Sequence, residues 1–263
     1  MICACSPSGK KSVIAKNAQA CYAVGMSQPP TSVQDDFSSA GDLRTQPDFS
    51  TLFSFWGALS SAEVRLLEQG ARLERYEPGT LIHRSDGGCK GVMAVLSGSL
   101  RVFCLSEEGR EVTLYRVEAG DVCILSASCL MDSIVFDVII EAQGETRVCL
   151  LPSAVLHRVE EENAQVELFI YKNATEKFSQ VLWTLQELLF MKLDQRLARA
   201  LLDEMRRQGS RELAITHEML ASLIGSAREV VTKTLRYLAE EGMVALSRGK
   251  VTITDEEKLQ GLL

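Results

Sequence analysis

A short C-terminal segment carries side chains of the types that form hydrogen bonds with base edges. In the major groove, Arg and Lys bond guanine O6 and N7, and Glu accepts a hydrogen bond from cytosine N4. Arg228, Glu229 and Lys233 place such groups close together on a predicted helix. Arg248 and Lys250 follow as cations suited to phosphate. The candidate DNA contacts are Ser226, Arg228, Glu229, Thr232, Lys233, Arg236, Arg248 and Lys250.

Cysteines form the second chemical feature. The chain has eight cysteines and three histidines, and in a reducing compartment cysteines act as thiols, metal ligands or redox sensors. The candidate sensor residues are Cys123, Cys129 and Cys149. Three chemistries stay open at this point: an iron–sulfur cluster, a haem with a Cys, His83 or His157 as axial ligand, and reversible oxidation between Cys123 and Cys129.

The base-reading residues require a helix–turn–helix to position them. Thr216 is a good N-cap for the first helix, and Gly225 permits a tight turn. Ser226, with Glu229 three residues later, predicts a capping box at the start of the second helix. Val231, Leu235 and Leu238 face inward at helical spacing. Alternating apolar residues around a Ser-Arg-Gly-Lys tip then predict a β-hairpin.

Residues 160–191 are predicted to form a long helix with an apolar stripe. Its members fall at alternating spacings of three and four, which is typical of a coiled-coil seam. They are Leu168, Tyr171, Thr175, Phe178, Leu182, Leu185 and Leu189. A homodimer through this seam would present two helix–turn–helix units to a two-fold symmetric site. The alternative is one long helix buried within a monomer.

Short strands punctuated by glycine turns dominate the part before this helix, after one or two short helices. The predicted strands are Thr80–His83, Val92–Leu96, Ser99–Leu105, Glu111–Val117, Ile134–Gln143 and Thr146–Leu151. Such a pattern favours a jelly-roll barrel or sandwich. The predicted α+β organisation is a disordered tail (1–47), a β-roll sensor domain (48–159), a dimerisation helix (160–191) and a winged helix-turn-helix domain (192–263).

The charge is unevenly distributed along the chain. The net charge is −7, yet residues 192–263 hold 12 Lys and Arg against 11 Asp and Glu. A nearly neutral domain binds DNA only if its cations cluster on one face, so the nonspecific phosphate contribution should be modest. The sequence shows no secretory h-region and no stretch of about 18 apolar residues, so we expect a cytoplasmic protein with no membrane contact.

The order of these parts resembles the Crp/Fnr family of transcription regulators over roughly residues 50–255. The most specific stretches are PGTLIHRSDGGCKGVMAVLSGSLRVFCLSEEGREVTLYRVEAGD and ITHEMLASLIGSAREVVTKTLRYLAEEGMV. The resemblance implies that Arg228, Glu229 and Lys233 stand where the family uses Arg, Glu and Arg to contact bases. It also implies a dimer, with RNA polymerase as a candidate partner. Cys149 falls at the central cysteine position of the family's iron–sulfur members, whereas Cys3, Cys5 and Cys21 do not match their tight N-terminal cluster.

Family members that bind cyclic nucleotides carry a Gly-Glu pair and, further on, an Arg that grips the phosphate. Here Gly120-Asp121 is followed by VCILSASCLM, which lacks both Glu and Arg. A buried phosphate without a cation is unfavourable, so we do not expect cyclic AMP as the effector. We expect a signal of redox, gas (oxygen or nitric oxide) or small-molecule type.

Two other function classes fit the sequence less well than a DNA-binding regulator. A cupin-like metal-dependent enzyme typically needs a cluster of His and carboxylate ligands, and one of the three histidines, His217, lies in the helix–turn–helix. A cyclic-nucleotide-binding regulatory module would lack the winged helix and would keep the phosphate grip. We therefore expect a transcription regulator and not an enzyme.

Overall fold

The computed structural model describes residues 47–83, 89–125 and 138–263. Its helices are α1 (Phe49–Leu52), α2 (Ser61–Gly70), α3 (Ser153–Glu160), α4 (Ala164–Phe190), α5 (Leu193–Gln208), α6 (His217–Ile224), α7 (Arg228–Glu240) and α8 (Glu256–Gln260), with a 3-10 helix at Trp56–Ala58. Its strands are β1 (Arg72–Tyr76), β2 (Leu81–His83), β3 (Gly91–Ser97), β4 (Ser99–Leu105), β5 (Glu111–Glu118), β6 (Val122–Cys123), β7 (Ile139–Ala142), β8 (Thr146–Pro152), β9 (Glu212–Leu213), β10 (Val244–Ser247) and β11 (Lys250–Ile253). The predicted disordered tail lies outside the described residues, except for residue 47.

Strands β1 to β8 form two antiparallel sheets of four strands each. One sheet has the order β1-β8-β3-β6 and the other β2-β7-β4-β5. Neighbouring strands are often distant in sequence, since β8 pairs with both β1 and β3. This connectivity is that of a jelly-roll-like domain. The predicted fold class, a β-roll followed by helices and a winged helix-turn-helix, is confirmed.

Three described strands escaped sequence prediction. Strand β1 has three charged residues among its five, RLERY, and so lacks an apolar alternation. Strands β6 and β9 are two residues long, which is too short for any periodicity to register. The predicted strand Ile134–Gln143 begins outside the described residues, and its described part contains β7.

The apolar residues form one cluster in the roll and a second among the C-terminal helices. Fully buried members of the first include Met93, Leu100, Ile140 and Leu151, and those of the second include Leu201, Leu220, Val231 and Leu235. The three inward-facing residues predicted for the second helix of the helix–turn–helix all lie in the second cluster. The cores thus fix the position of both the roll and the DNA-reading helices.

The long helix presents two different faces. One face packs on the roll through Val166, Phe169, Ile170 and Ala174, all of which are buried. The Phe169 ring meets the Phe55 ring edge-on, with 4.9 Å between centroids. The helical segment expected at 160–191 is interrupted, because α3 ends at Glu160 and α4 starts only after the N-cap Asn163.

Candidate nucleic-acid interface

Helices α6 and α7 are joined by a turn of the predicted kind. Thr216 caps α6, since its side chain accepts a hydrogen bond of 3.1 Å from the Met219 N–H. Gly225 ends α6 in the left-handed conformation, with φ of 63°. Its N–H and that of Ser226 both donate to the carbonyl of Ala221. These two hydrogen bonds to one carbonyl reverse the chain sharply and set the direction of α7.

The predicted capping box at Ser226 is wrong. Helix α7 begins at Arg228 with Ala227 as the N-cap, and no side chain caps it. Ser226 is instead held in the turn by its own N–H bond to Ala221. The first-turn N–H groups of α7 therefore have no side-chain cap, and Glu229 lies beside them, where the helix dipole favours a negative charge.

One face of α7 is exposed and carries the predicted base-reading side chains. Val231, Leu235 and Leu238 are completely buried on the opposite face. The exposed residues of the candidate set on α7 are Arg228, Glu229, Lys233 and Arg236, whereas Thr232 is half-buried. The pattern leaves two cations and one carboxylate within the first two turns of the helix, the end that a helix–turn–helix inserts into the major groove.

Thr232 has a local partner that the sequence did not indicate. Its hydroxyl lies 2.9 Å from Nδ1 of His217 on α6. Burial of the imidazole, followed by the positive charges of Arg228 and Arg236, holds the pKa of His217 below its ordinary value of 6.5. His217 is therefore neutral at pH 7, and its ring ties the start of α6 to the middle of α7.

Arg228 forms an open ion pair. Its Nε lies 3.7 Å from Oε2 of Glu218 on α6, and both side chains are mostly exposed. Exposed pairs of this kind contribute about 0–1 kcal/mol. A guanine edge or a phosphate oxygen can therefore replace Glu218 at little expense.

The hairpin after α7 has the predicted form. Strands β10 and β11 pair antiparallel down to Ser247 and Lys250, with Gly249 at φ of 73° in the turn. Arg248 is exposed at the tip. Lys250, in contrast, is paired with Glu212 of β9, the third strand of this sheet. The two tip cations thus differ in how much positive charge they offer to a phosphate.

Strand β5 of the roll contacts three of the C-terminal helices. The Thr113 hydroxyl donates to the carbonyl of Ser222 on α6 at 3.0 Å, and the Thr184 hydroxyl of α4 donates to the carbonyl of Leu114 at 2.7 Å. Arg116 pairs with Glu204 of α5, whose side chain is 2% exposed. The same strand therefore fixes the long helix, the first helix of the C-terminal part and the helix–turn–helix.

A cleft of about 710 Å³ separates the roll from the start of α7. The β4–β5 hairpin lines one side with Glu108 and Glu111, and Arg228 and Glu229 line the other. Gly225 stands at the contact itself, because a Cβ there would lie 3.0 Å from Val112 Cγ2 and 3.2 Å from Leu188 Cδ2. A side chain at position 225 would push the turn away from the roll.

Two of the three candidate sensor cysteines can be placed. Cys123 of β6 pairs with Met93, whereas Cys149 of β8 pairs with Ala94, the next residue of the strand between them. Paired residues share a face of the sheet and successive residues alternate, so the two thiols point to opposite faces. They cannot bind one metal ion or cluster together. Cys129 lies outside the described residues.

The chemistry of the described cysteines is also restricted. Cys123 and Cys149 are fully buried and are not in disulfides, and burial raises the pKa of the Cys149 thiol to about 11. A thiol of so high a pKa reacts slowly with oxidants. Cys89, which was not among the candidate sensors, is disulfide-bonded. Within residues 47–83, 89–125 and 138–263, no group of three His, Cys, Asp or Glu side chains is arranged to hold a metal ion.

The seven residues of the predicted dimer seam lie together on the solvent side of α4. They are Leu168, Tyr171, Thr175, Phe178, Leu182, Leu185 and Leu189, and every one is exposed. Exposed leucines and aromatics in one continuous stripe mark an interaction surface more often than a solvated one. The stripe is thus not buried within the single chain, as the monomer alternative required.

Sequence reasoning missed two polar residues that face each other inside the roll. Lys177 of α4 and Tyr115 of β5 are both more than nine-tenths buried. The spacing of the roll-facing residues of α4, which runs through Ile170, Ala174 and Val181, would have identified Lys177 as an inward lysine. The predicted seam used only the opposite stripe of the helix.

Comparison with known proteins assigns both halves of the chain. The model of the Crp-like helix-turn-helix domain matches residues 195–262, and that of the cyclic nucleotide-binding domain matches residues 73–163. The transcriptional regulator SdrP of Thermus thermophilus is 30% identical over 176 residues, which cover 64% of this chain and 81% of SdrP. The cAMP-activated global transcriptional regulator Vfr of Pseudomonas aeruginosa is 23% identical and covers 72% of this chain and 91% of Vfr.

A solved structure gives the same assignment. A Crp/Fnr-family protein of Eubacterium rectale superposes with a TM-score of 0.78 at 41% identity, over 80% of this chain and 98% of that one. Both curated relatives are transcription regulators. Among the residues that the structure describes, no helix has the length and apolarity to cross a membrane. The chain belongs to the Crp/Fnr family of DNA-binding transcription regulators.

Proposed function

We propose that this regulator acts as a homodimer that reads a two-fold symmetric DNA site with α7 and responds to a signal in the roll other than cyclic AMP. The observation that carries the proposal is the exposed polar face at the start of α7, backed by a buried apolar face. The proposed location is the cytoplasm, together with the DNA, and no enzymatic activity is proposed. RNA polymerase is proposed as a partner from family membership alone.

Base reading is assigned to the first turns of α7. Arg228 and Glu229 lie at its N-terminal end, and Lys233 lies about one turn further on. An Arg fork bonds guanine O6 and N7, and Glu accepts from cytosine N4, so we propose a half-site that contains G·C pairs. Lys233 offers a single point charge and not a fork, and therefore tolerates more than one base.

Dimerisation is assigned to the exposed stripe of α4. Its removal from water against a second copy would bury leucines and aromatics that the single chain leaves in solvent. A two-fold axis through this helix would present two α7 helices to successive major grooves, about 34 Å apart. The expected operator is therefore an inverted repeat.

The effector is proposed to differ from cyclic AMP because the phosphate-gripping Glu and Arg are missing after Gly120-Asp121. The opposite orientations of Cys123 and Cys149 argue against a cluster or haem that uses both thiols. The high pKa of Cys149 argues against rapid oxidation at that residue. A small-molecule signal is therefore favoured over the redox and gas alternatives.

The experiment that tests this function is selection of binding sites from random duplex DNA with the purified full chain. We expect an inverted repeat with G·C pairs in each half-site. A variant with Arg228→Ala should lose enrichment at one position of each half-site. The matched control is Arg206→Ala, which removes an exposed arginine of α5 and should select the same repeat. Enrichment of no sequence, or of a single unrepeated site, would contradict the proposal.

A further inference from the structure

A lysine lies on the buried face of the long helix. Lys177 is 6% exposed and stands in the same roll-facing stripe as the buried Ile170 and Ala174. An ammonium group in such a place is unfavourable unless a counter-charge or hydrogen-bond acceptors satisfy it. Within the described parts of the chain, no carboxylate pairs with this ammonium and no acceptor bonds it.

A tyrosine faces the lysine from strand β5. The Nζ of Lys177 lies 5.3 Å from the centroid of the Tyr115 ring. Tyr115 is 8% exposed, and its hydroxyl is buried without a hydrogen-bond partner among the described residues. Buried phenols normally find a partner for the hydroxyl. Two polar donors on facing elements are therefore both unsatisfied in the same apolar interior.

The contacts within the described chain do not account for this pair. A cation over an aromatic ring recovers only part of the lost hydration of the ammonium. A second copy of the chain would not supply the missing acceptor either, because the proposed dimer stripe is on a different face of α4, through Thr175 and Phe178. The missing group must come from a molecule that enters the roll.

We propose that Lys177 and Tyr115 form the anion-binding pair of the effector site, and that the effector is a small organic carboxylate with an apolar body. This inference rests on the proposed function for its regulatory role. The ammonium and the hydroxyl each donate to one carboxylate oxygen, and a single lysine balances a single negative charge. A phosphate ester has more oxygens and would call for an arginine fork or several N–H groups. The buried apolar neighbours suit an apolar ligand body.

The ionisation of Tyr115 is consistent with a donor role. Burial, and to a lesser extent the nearby Cys123 thiol, raises the pKa of the Tyr115 hydroxyl above its ordinary value of 10.0. The hydroxyl therefore keeps its proton at every physiological pH and can donate it to an anion. Tyr115 also lies on the strand that bonds α4, α5 and α6, so a ligand here contacts the element that joins the roll to the DNA-reading helices.

The test is ligand binding to the full chain, measured by thermal unfolding and by isothermal titration calorimetry. The probes are hexanoate and benzoate, with methyl benzoate as the uncharged analogue and inorganic phosphate and cyclic AMP as phosphate probes. We expect a carboxylate to raise the Tm by about 3–5 °C at ten times its Kd, with no effect of the other probes. Binding of neither carboxylate, or a response to phosphate or cyclic AMP in its place, would overturn the proposal.

Substitutions locate the site. Lys177→Met should lower carboxylate affinity at least about tenfold, and Tyr115→Phe should lower it several-fold by removing one hydrogen bond. Without ligand, Lys177→Met should unfold at the same or a higher Tm, because an unpaired buried charge is replaced by an apolar chain. A lower Tm with unchanged carboxylate affinity would make Lys177 a structural residue and overturn the inference. Lys172→Met, at an exposed position of α4, is the matched control and should bind carboxylate like wild type.

The regulatory role has its own readout. Carboxylate should change the affinity of the wild-type protein for its selected operator and leave that of Lys177→Met unchanged. Carboxylate binding without any change in DNA affinity would remove the effector role while leaving the anion site in place. Absence of specific DNA binding under every condition would instead contradict the proposed function, and the binding measurements on carboxylate do not depend on it.

Discussion

At the scale of single residues, Arg228 is the side chain on which base reading depends most. It is exposed, held only by a 3.7 Å contact to Glu218, and located at the first position of α7. Glu218 leaves the guanidinium available because exposed pairs are weak. The geometry therefore favours exchange of Glu218 for a base on DNA binding.

We predict that Arg228→Ala lowers operator affinity by about 1–3 kcal/mol and relaxes specificity at the base pair that Arg228 contacts. Fluorescence anisotropy with the selected operator and with single-base variants measures both effects. The Arg206→Ala protein serves as the control, with wild-type affinity expected. Equal affinity of the Arg228→Ala and wild-type proteins would show that α7 docks differently.

His217 provides a second prediction at this scale. Its pKa lies below 6.5 because of burial first and of Arg228 and Arg236 second. Replacement of Arg236 by Gln should raise the pKa of His217 towards 6.5, which NMR titration of the imidazole measures. The folded chain takes up the proton less readily than the unfolded chain. This group therefore leaves the free energy of unfolding unchanged above pH 6.5 and lowers it as pH falls from 6.5 through the folded-state pKa. An unchanged titration in Arg236→Gln would show that Arg236 does not contribute to the shift.

At the scale of secondary-structure elements, α4 separates two tasks on two faces. Its buried face packs on the roll, and its exposed stripe is left for a partner. Because the faces differ, the stripe can be altered without disturbing the packing of the roll.

We predict that Phe178→Glu converts the dimer to monomer, since each copy would place a charge in an apolar interface. Sedimentation velocity measures the change, and the monomer should bind an inverted-repeat operator much more weakly than wild type. Gln180→Glu adds the same charge at an exposed position off the stripe and should remain dimeric. Dimers that persist in Phe178→Glu at micromolar concentration would rule out this seam.

The wing offers a comparison between two cations. Arg248 is exposed at the tip of the hairpin, whereas Lys250 is paired with Glu212. Arg248→Ala should reduce the slope of log K against log salt by about 0.9, the value for one phosphate contact, with nearly uniform loss across sequences. Lys250→Ala should change the slope less because Glu212 already neutralises the ammonium. Titrations from low to physiological salt would contradict this difference if both variants gave the same slope.

At the scale of the whole molecule, β5 is the connection between the roll and the C-terminal helices. Glu204 of α5 accepts hydrogen bonds from Arg207 and Gln208 as well as pairing with Arg116 of β5. Burial opposes ionisation of this carboxyl, but the bonds from Arg207 and Arg116 outweigh it and hold the pKa of Glu204 below its ordinary 4.5. An ionised, buried carboxylate thus joins the two parts of the chain.

We predict that Arg116 and Glu204 are coupled energetically. In a double-mutant cycle with Arg116→Ala and Glu204→Ala, urea unfolding should give a coupling energy of about 1–3 kcal/mol. The single variant Glu204→Ala should be the less stable of the two, because it leaves both Arg116 and Arg207 without their carboxylate. Strictly additive effects would show that the pair contributes nothing to the connection.

Elements whose signals are local could be predicted from the sequence alone. Thr216 as N-cap, Gly225 at the turn, the inward Val231, Leu235 and Leu238, and the hairpin tip all follow from short-range spacing and backbone preference. The exposed stripe of α4 was also predictable, since a period of 3.5 residues is visible without any tertiary contact. The start of α7 was not, because the Ser226 N–H bonds the carbonyl of Ala221 and Ala227 takes the cap.

Relations between distant segments became visible only in the folded chain. The opposite faces of Cys123 and Cys149 follow from their register on the shared strand β3, which no local pattern encodes. The contact of Lys177 with Tyr115 also joins distant segments, and the pair of Arg116 with Glu204 spans 88 positions of sequence. Such contacts are set by how the roll packs on the helices, and packing depends on the whole core and not on the residues that meet there.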